Sequence, residues 1–394
     1  MKILLYVHFW APNVGGVEVS SMALARGLAT WHERHGGEAI DVSLATPTPA
    51  DGMDDSRLPF RVIRRPGVQE LARLIREADA IHVAGPCLLP LLIGKVLRKP
   101  MLIEHHGYQA GCPNGLLFYE PTKTACPGHF MAERYLECVR CNAFNLGTLR
   151  SVRLLLLTFL RRGISKTVAA NTHISKHLLV RLELPRSQVI YYGIPDSLAG
   201  WTEPVSQQQY LPACFAYVGR LVQEKGPQVL IEAGARLKKQ GAGFQLRFIG
   251  DGPERQRLEA LADANGLHNH VVFTGFLSGE ALRAALADVV ALVMPSLMEE
   301  TAGLAPMEQM MRGRIVCVSE IGGLSEVVGD AGLKFPPGDA DALAACMLRV
   351  LEEPELRKEL GWKARRRAVQ FFLEERMVEE HLQTYRAIVA SEAD

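Results

Sequence analysis

Short apolar runs alternate with amphipathic stretches along most of the chain. KILLYV (residues 2–7) leads through PNVGGVE into a helical pattern at 17–30, and further apolar runs follow at IDVSLAT, RVIRR, AIHVAG and MLIEHH, with helix-like patterns between several of them. TVAANT and VIYYG close this first group near Ile194. Strands that alternate with helices predict a parallel, doubly wound α/β sheet. The polar, proline-containing stretch DSLAGWTEPVSQQQYLP, 196–212, reads as a linker, and after it the same pattern restarts with FAYVGR, LRFIGDG, VVFTG, VALVMPS, IVCVSE and GLKFP. A second sheet of the same kind is expected. The stretch from PELRKELGWK onward is helical by pattern and carries mixed charge. There is no internal repeat at solenoid spacing and no low-complexity tract.

Length agrees with two cores, since 394 residues exceed what one ordinary core supports. Lysine plus arginine number 44 against 43 aspartates and glutamates. This balance supplies no field for nucleic-acid binding, so a small-molecule ligand is expected. The first apolar run ends in Pro12 and glycines rather than in a cleavage-type segment of small residues, which fits a first strand better than a leader. No apolar run reaches the ~18 to 20 residues that span a bilayer. A cytoplasmic protein is therefore expected, placed in solution or at the inner face of the membrane. Its eight cysteines are then reduced thiols, metal ligands or core residues.

Two segments stand out in the first half. Cys112, Cys126, Cys138 and Cys141 cluster in a turn-rich stretch that ends in Cys-x-x-Cys. Four thiolates suffice for a closed tetrahedral zinc site that would staple a loop unable to bury its own core; His129 could replace one ligand, and scattered buried cysteines are the alternative. LGTLRSVRLLLLTFLRRGISK, 146–166, has arginines at both ends of an apolar run. It lacks a clean amphipathic stripe, so a buried core helix is preferred here to contact with a membrane surface.

The chemistry concentrates in the second half. In VMPSLMEETAGLAPMEQMM, 293–311, an apolar strand runs into an acidic turn and a helix begins. Gly303, lacking a Cβ, allows an anion to approach the free amides of the helix start; Glu300 and Glu308 bracket the turn, and Glu308, one or two turns in, would accept hydrogen bonds from sugar hydroxyls. GRLVQEKG, 219–226, follows the first strand of the second group and carries Arg220 and Lys225. Two cations there suit a diphosphate, although a solvated, partly salt-bridged turn is an equal reading. GDGP, 250–253, is most economically a strand-ending turn. Gly15 and Gly16 in PNVGGVE do not form the dinucleotide fingerprint GxGxxG.

The order GGVE, GRLVQEKG, FIGDGP, VVFTGFL, PSLMEETAGLAPMEQMMRG and GGLSEVV resembles family 4 of the retaining glycosyltransferases, group 1 glycosyltransferases with the GT-B fold. The match spans nearly the whole chain, is strongest from Gly219 to Asp339, and is most specific at the Glu300 and Glu308 pair. The resemblance implies two Rossmann-like doubly wound domains facing each other across a cleft. An acceptor domain would occupy 1–195 with a Cys-rich insertion at 107–145, a donor domain 210–370, and a terminal helix at 371–394 would cross back to the first domain.

It also implies transfer of a sugar from a nucleotide diphosphate sugar, UDP rather than GDP, to a glycan, lipid-linked or small-molecule acceptor. The anomeric configuration would be retained, no metal would be needed for catalysis, and peripheral membrane association would suit a lipid-linked acceptor. Arg220 and Lys225 would hold the diphosphate, and Glu308 the ribose. Glu300 would contact the donor sugar, with the amides around Gly303 and Leu304 meeting its hydroxyls or phosphate. Gly16 would admit the diphosphate to the amino-terminal loop, and His106 would lie near the transferred sugar, whereas His105 is out of register. Thr301 and Ala302 depart from the family's glycine and bulky aromatic, Gly107 from a frequent aspartate, and Tyr192 from asparagine before Gly193. A sugar-nucleotide epimerase or phosphorylase, or a non-catalytic nucleotide-sugar binding protein, are the alternatives on this plan.

Overall fold

The computed structural model describes residues 1–12, 15–196 and 212–391, and the stretch at 196–212 expected to be a linker lies, apart from its two ends, outside them. The chain divides into two units: Met1–Pro121, Cys126–Pro195 and Phe372–Asp394 form unit 1, while Asp196–Phe371 with Thr122–Ala125 form unit 2.

Unit 1 begins β1 (Lys2–Val7), α1 (Gly16–Ala29), α2 (Trp31–His35), β2 (Asp41–Thr46), β3 (Arg61–Arg64), α3 (Val68–Glu77), β4 (Ala80–Ala84), α4 (Leu88–Val96) and β5 (Met101–His105). The Cys-rich insertion holds only two-residue strands, β6 (Phe118–Tyr119) and β7 (Thr124–Ala125), before the helices α5 (Tyr135–Leu146) and α6 (Thr148–Ser165). Then come β8 (Ala170–His173), α7 (Lys176–Leu182) and β9 (Ser187–Val189). The sheet order is β3-β2-β1-β4-β5-β8-β9, with every pair parallel. Central strands of such a sheet are covered on both faces, which is why KILLYV and AIHVA read as nearly unbroken apolar runs.

Unit 2 repeats the plan: β10 (Ala213–Val218), α8 (Pro227–Lys239), β11 (Phe244–Ile249), α9 (Arg255–Ala264), β12 (Val271–Gly275), α10 (Gly279–Ala285), β13 (Val289–Met294), α11 (Leu304–Met311), β14 (Ile315–Ser319), α12 (Gly322–Val328), β15 (Leu333–Phe335), α13 (Ala340–Glu352) and α14 (Pro354–Phe371). Its strand order, β12-β11-β10-β13-β14-β15, is the 3-2-1-4-5-6 arrangement of dinucleotide-binding folds. The order reverses between β10 and β13, and ligands of open parallel sheets bind at the carboxyl ends beside such a reversal.

The last helix, α15 (Glu374–Ala390), belongs to unit 1. Met377, Val378, Leu382, Tyr385 and Ile388 join Ile3, Leu5, Leu24 and Leu28 in one buried cluster. Gly27 of α1 leaves room for Val378, since a Cβ there would overlap its Cγ2.

The structure corrects the expectation for 146–166. α6 buries Ser151, Thr158 and Ser165, while Leu149, Leu156 and Leu160 are exposed. The buried hydroxyls are silenced by their own helix: Ser151 Oγ donates to Gly147 O (2.7 Å), Thr158 Oγ1 to Leu154 O (2.9 Å) and Ser165 Oγ to Arg161 O (2.8 Å). A hydroxyl satisfied by the carbonyl one turn back can be buried at little cost, which is how small polar residues come to occupy the packed face. Among the described residues no helix is long and apolar enough to cross a membrane.

Candidate active site

In unit 2 two loops meet at the order reversal. After β10 the chain passes Gly219 and Arg220, makes a 3₁₀ turn at Gln223–Lys225 and enters α8 through Gly226. The loop that follows β13 is tied to it, because the Leu297 and Met298 amides both donate to Glu224 O (2.9 and 3.2 Å). Gly226 makes this approach possible: its φ is +66°, and a Cβ would overlap the Pro295 carbonyl oxygen. The consequence is electrostatic. Lys225 Nζ lies 3.0 Å from Glu300 Oε1, which also accepts from Ser296 Oγ (2.8 Å). Arg220 is exposed, with its carbonyl fixed by Tyr217 OH at 2.7 Å. GDGP lies under this loop: the Leu221 amide donates to Asp251 O (2.9 Å), and a Cβ at Gly250 or Gly252 would overlap the Gly219 or Leu221 carbonyl.

The acidic turn is held from its far side by the start of α12. Gly323 N donates to Glu300 O (2.6 Å), and a Cβ on Gly322 or Gly323 would press into the backbone of residues 299–302. Ala302 is buried, so the place of the family's bulky aromatic is a packed, methyl-sized position. Gly303 caps α11 with no side-chain hydrogen bond, and Leu304 opens the helix. Pro306, in its first turn, brings no amide hydrogen of its own. Glu308 sits on the second turn, and burial pushes its carboxyl up to about 7 against the weaker opposing pull of Arg312.

The unit 1 candidates collect around Tyr192. His106 Nδ1 is 3.0 Å from Tyr192 OH, and a Cβ built on Gly16 would stand 4.0 Å from the same hydroxyl. Beneath His106 lies Glu104, whose Oε2 is 3.2 Å from His106 Nε2 and 3.1 Å from His82 Nε2. His381 Nε2 of α15 stands 3.6 Å from the other oxygen, Oε1. Outer contacts orient two of the rings: His82 Nδ1 meets Tyr385 OH at 2.7 Å, and His381 Nδ1 meets Met377 O at 2.9 Å. Burial alone would raise the Glu104 carboxyl, but His106, His82 and His381 outweigh it and hold it well below the usual carboxylate range. Residues alternate sides along a strand, so His105 faces the other way: its Nε2 meets Asn171 Oδ1 (2.9 Å) and its ring stacks on His173. Sequence reasoning missed Glu104, His82, His381 and Tyr385.

Cys112, Cys126, Cys138 and Cys141 are all buried and unbridged. Cys138 and Cys141 share one face of α5, and Asn114 links the segment by accepting from Cys112 Sγ (2.9 Å) and donating to Cys141 Sγ (3.5 Å). Among the described residues the group of three ligand atoms within 4.8 Å of one another is that of His82, Glu104 and His381, so no three sulfurs draw that close. His129 packs against Tyr119, with ring centroids 5.0 Å apart.

Residues 207–367, most of unit 2, match the family model described as Glycosyl transferases group 1. Alpha-D-kanosaminyltransferase of Streptomyces kanamyceticus is 35% identical over 150 residues, covering 38% of this chain and 39% of that protein. The 2-deoxystreptamine glucosyltransferase of the same organism is 37% identical over 157 residues, covering 38% and 40%. The chain thus spans about two-fifths of the length of these relatives. Over its whole length the chain shares the fold of Anabaena Alr3699/HepE, solved with UDP, at a TM-score of 0.73 and 18% identity, covering 98% of this chain and 100% of that one. With the lipopolysaccharide glycosyltransferase WaaG the TM-score is 0.66 at 18% identity, covering 96% and 98%. The fold is GT-B, with a Rossmann-like sheet in each unit.

Packing and charge lead to three predictions. Gly226→Ala should destabilise the protein by at least about 2 kcal/mol in urea unfolding, from left-handed strain plus the overlap with Pro295. Burial lowers His105 and His381 to about 4 and His173 to about 3. The unfolded chain therefore takes up protons below about 6.5 that the folded chain refuses, and stability should fall as pH drops through that window. Glu308 has the opposite sign: its raised value favours the folded state at low pH, and that contribution is lost as pH rises from about 4.5 to 7. Glu308→Gln should thus raise Tm at pH 8 but hardly at pH 5, and an equal gain at both values would remove this assignment.

Proposed function

We propose that the protein transfers a glycosyl group from a nucleotide diphosphate sugar, a UDP-sugar in preference to a GDP-sugar, with retention at the anomeric carbon. The observation that carries this reading is Lys225, the last residue of the 3₁₀ turn beyond β10, held by Glu300, which also accepts from Ser296. Two relatives are named as an alpha-D-kanosaminyltransferase and a 2-deoxystreptamine glucosyltransferase, and one fold neighbour was solved with UDP and glucose. These support a nucleotide-sugar donor and a hydroxylated acceptor, either a glycan, a lipid-linked sugar or a small molecule.

In this reading Lys225 and Arg220 bind the diphosphate and stabilise it as it leaves. Charge-assisted contacts of about 1.5 to 3 kcal/mol each would supply roughly two to four decades of leaving-group stabilisation. In this reading the pair supplies cationic charge from the chain itself, so the transfer needs no metal. Glu300 positions Lys225 and accepts from the donor sugar. The Leu304 amide, opened by Gly303, meets a sugar hydroxyl or phosphate, and Glu308 takes the ribose hydroxyls. In unit 1 Gly16 leaves backbone space, and His106 serves the transferred sugar with its ring fixed by Glu104 and Tyr192.

Lys225→Ala should keep its far-ultraviolet spectrum and Tm within a few degrees while kcat/KM for transfer falls by about 100-fold; unchanged turnover would sink the role. Products separate the enzyme classes, because an epimerase returns a free epimer and a phosphorylase a sugar phosphate. A purely binding protein would be stabilised by donor without hydrolysing it.

We further propose a structural zinc at Cys112, Cys126, Cys138 and Cys141. What supports it is four buried thiols in one segment, two in its loops and two on one face of α5, and the Glu120 amide directed at Cys141 Sγ (3.5 Å), the kind of outer contact that steadies a thiolate ligand. Metal analysis should find about one equivalent of zinc, and Cys138→Ser should lose it. A metal-free, equally stable protein would leave the four as core thiols.

A further inference from the structure

Most of the exposed large apolar side chains among the described residues lie on three neighbouring helices of unit 1, α4, α5 and α6. On α6 they form a stripe. Leu149 (86% exposed), Val152, Leu156, Phe159 and Leu160 recur at three- and four-residue spacing, so they share one face of the helix. The fully buried positions of the helix are Ser151, Thr158 and Ser165, with Leu154, Leu155, Leu157 and Ile164 half-buried beside them. Its most exposed leucines therefore face water while its fully buried positions are hydroxyls. A soluble surface helix puts its leucines inward, and a contiguous outward patch of this kind marks a contact surface.

Charge decides what covers it. α6 has no aspartate or glutamate, and Arg150 and Arg153 flank the stripe at exposed positions, with Arg161 and Arg162 near its far end. Lys95 and Arg98 add exposed positive charge at the end of α4, beside exposed Leu92 and Val96. The α5–α6 hairpin presents Phe144 and Leu146 at its tip. Apolar side chains bordered by arginines match the boundary between acyl chains and anionic headgroups. A second copy of the chain fits worse, because a two-fold contact would set the arginines of α6 against their own copies. The protein's net charge of +1 shows that this is a local arrangement and not a general attraction to anions.

We propose that the outward face of α6, extended by the exposed apolar residues of α4 and the α5–α6 tip, docks unit 1 on an anionic lipid bilayer surface. The helix lies in the plane of the headgroups, with Leu149, Leu156 and Phe159 entering the acyl boundary and Arg150 and Arg153 meeting lipid phosphates. This concerns binding and stands apart from the glycosyl-transfer reading.

The test is co-sedimentation of the full chain with vesicles of phosphatidylglycerol in phosphatidylcholine, against phosphatidylcholine alone. Binding is expected only with the anionic lipid and should weaken as salt rises. Arg150→Glu with Arg153→Glu should weaken it by roughly 30-fold or more, taking about 1 kcal/mol for each lost arginine as a minimum. Leu149→Ser with Leu156→Ser should also release the protein while leaving Tm close to wild type, since both side chains already face solvent. Failure to bind anionic vesicles, or binding unchanged in both variants, would overturn the proposal. So would a dimer in solution that Leu149→Ser with Leu156→Ser dissolves, which would assign the patch to a second copy.

Discussion

The backbone contact on which the unit 2 site depends is the close approach of two loops that leave adjacent parallel strands. Parallel neighbours β10 and β13 deliver both loops to the same sheet edge, but delivery alone would leave them side by side. The left-handed turn at Gly226 and the two amide bonds onto Glu224 bring them together. Lysine and glutamate then become partners across a sequence separation of 75 residues. The acidic turn is gripped in turn by the glycine pair at the start of α12. Three loops therefore fix one another largely through backbone atoms.

In unit 1 the corresponding constraint is a buried carboxylate. A charge placed out of water without partners would cost several kcal/mol. Glu104 meets that requirement through imidazoles from β4, from the end of β5 and from α15, and two tyrosine hydroxyls complete the set. This arrangement rigidly orients His106 and at the same time secures the last helix to the sheet. Packing around Val378 and Leu382 does the rest.

Much of this was legible in the sequence, and what was not had physical reasons. Apolar runs at strand length with glycines after them disclosed both sheets. Arg220, Lys225 and Glu300 stood out as charges on loops next to strand ends, but an idle salt-bridged turn was an equal reading for the two cations, and only the fold shows Lys225 paired with Glu300. Glu104 hid inside MLIEHH, where a strand's inward side is normally apolar and nothing local shows what waits opposite. Its partners come from far away in the chain; His82 and Tyr385, which hydrogen-bond beside it, are 303 residues apart. α6 misled for another reason. Eight apolar residues in a short run read as a core segment, and only the hydroxyls at 151, 158 and 165, each satisfied by its own helix, reveal which face turns inward.

The return of α15 to unit 1 has a consequence for how the chain is made. The strands of the first sheet emerge early from the ribosome, but the helix that covers α1 and supplies His381 and Tyr385 emerges only after all of unit 2. Until then Glu104 lacks part of its surroundings and the pocket of Val378 beside Gly27 is bare. Unit 2, whose sheet is formed from one continuous stretch, can mature while the earlier-made unit waits, so the order of completion is the reverse of the order of synthesis.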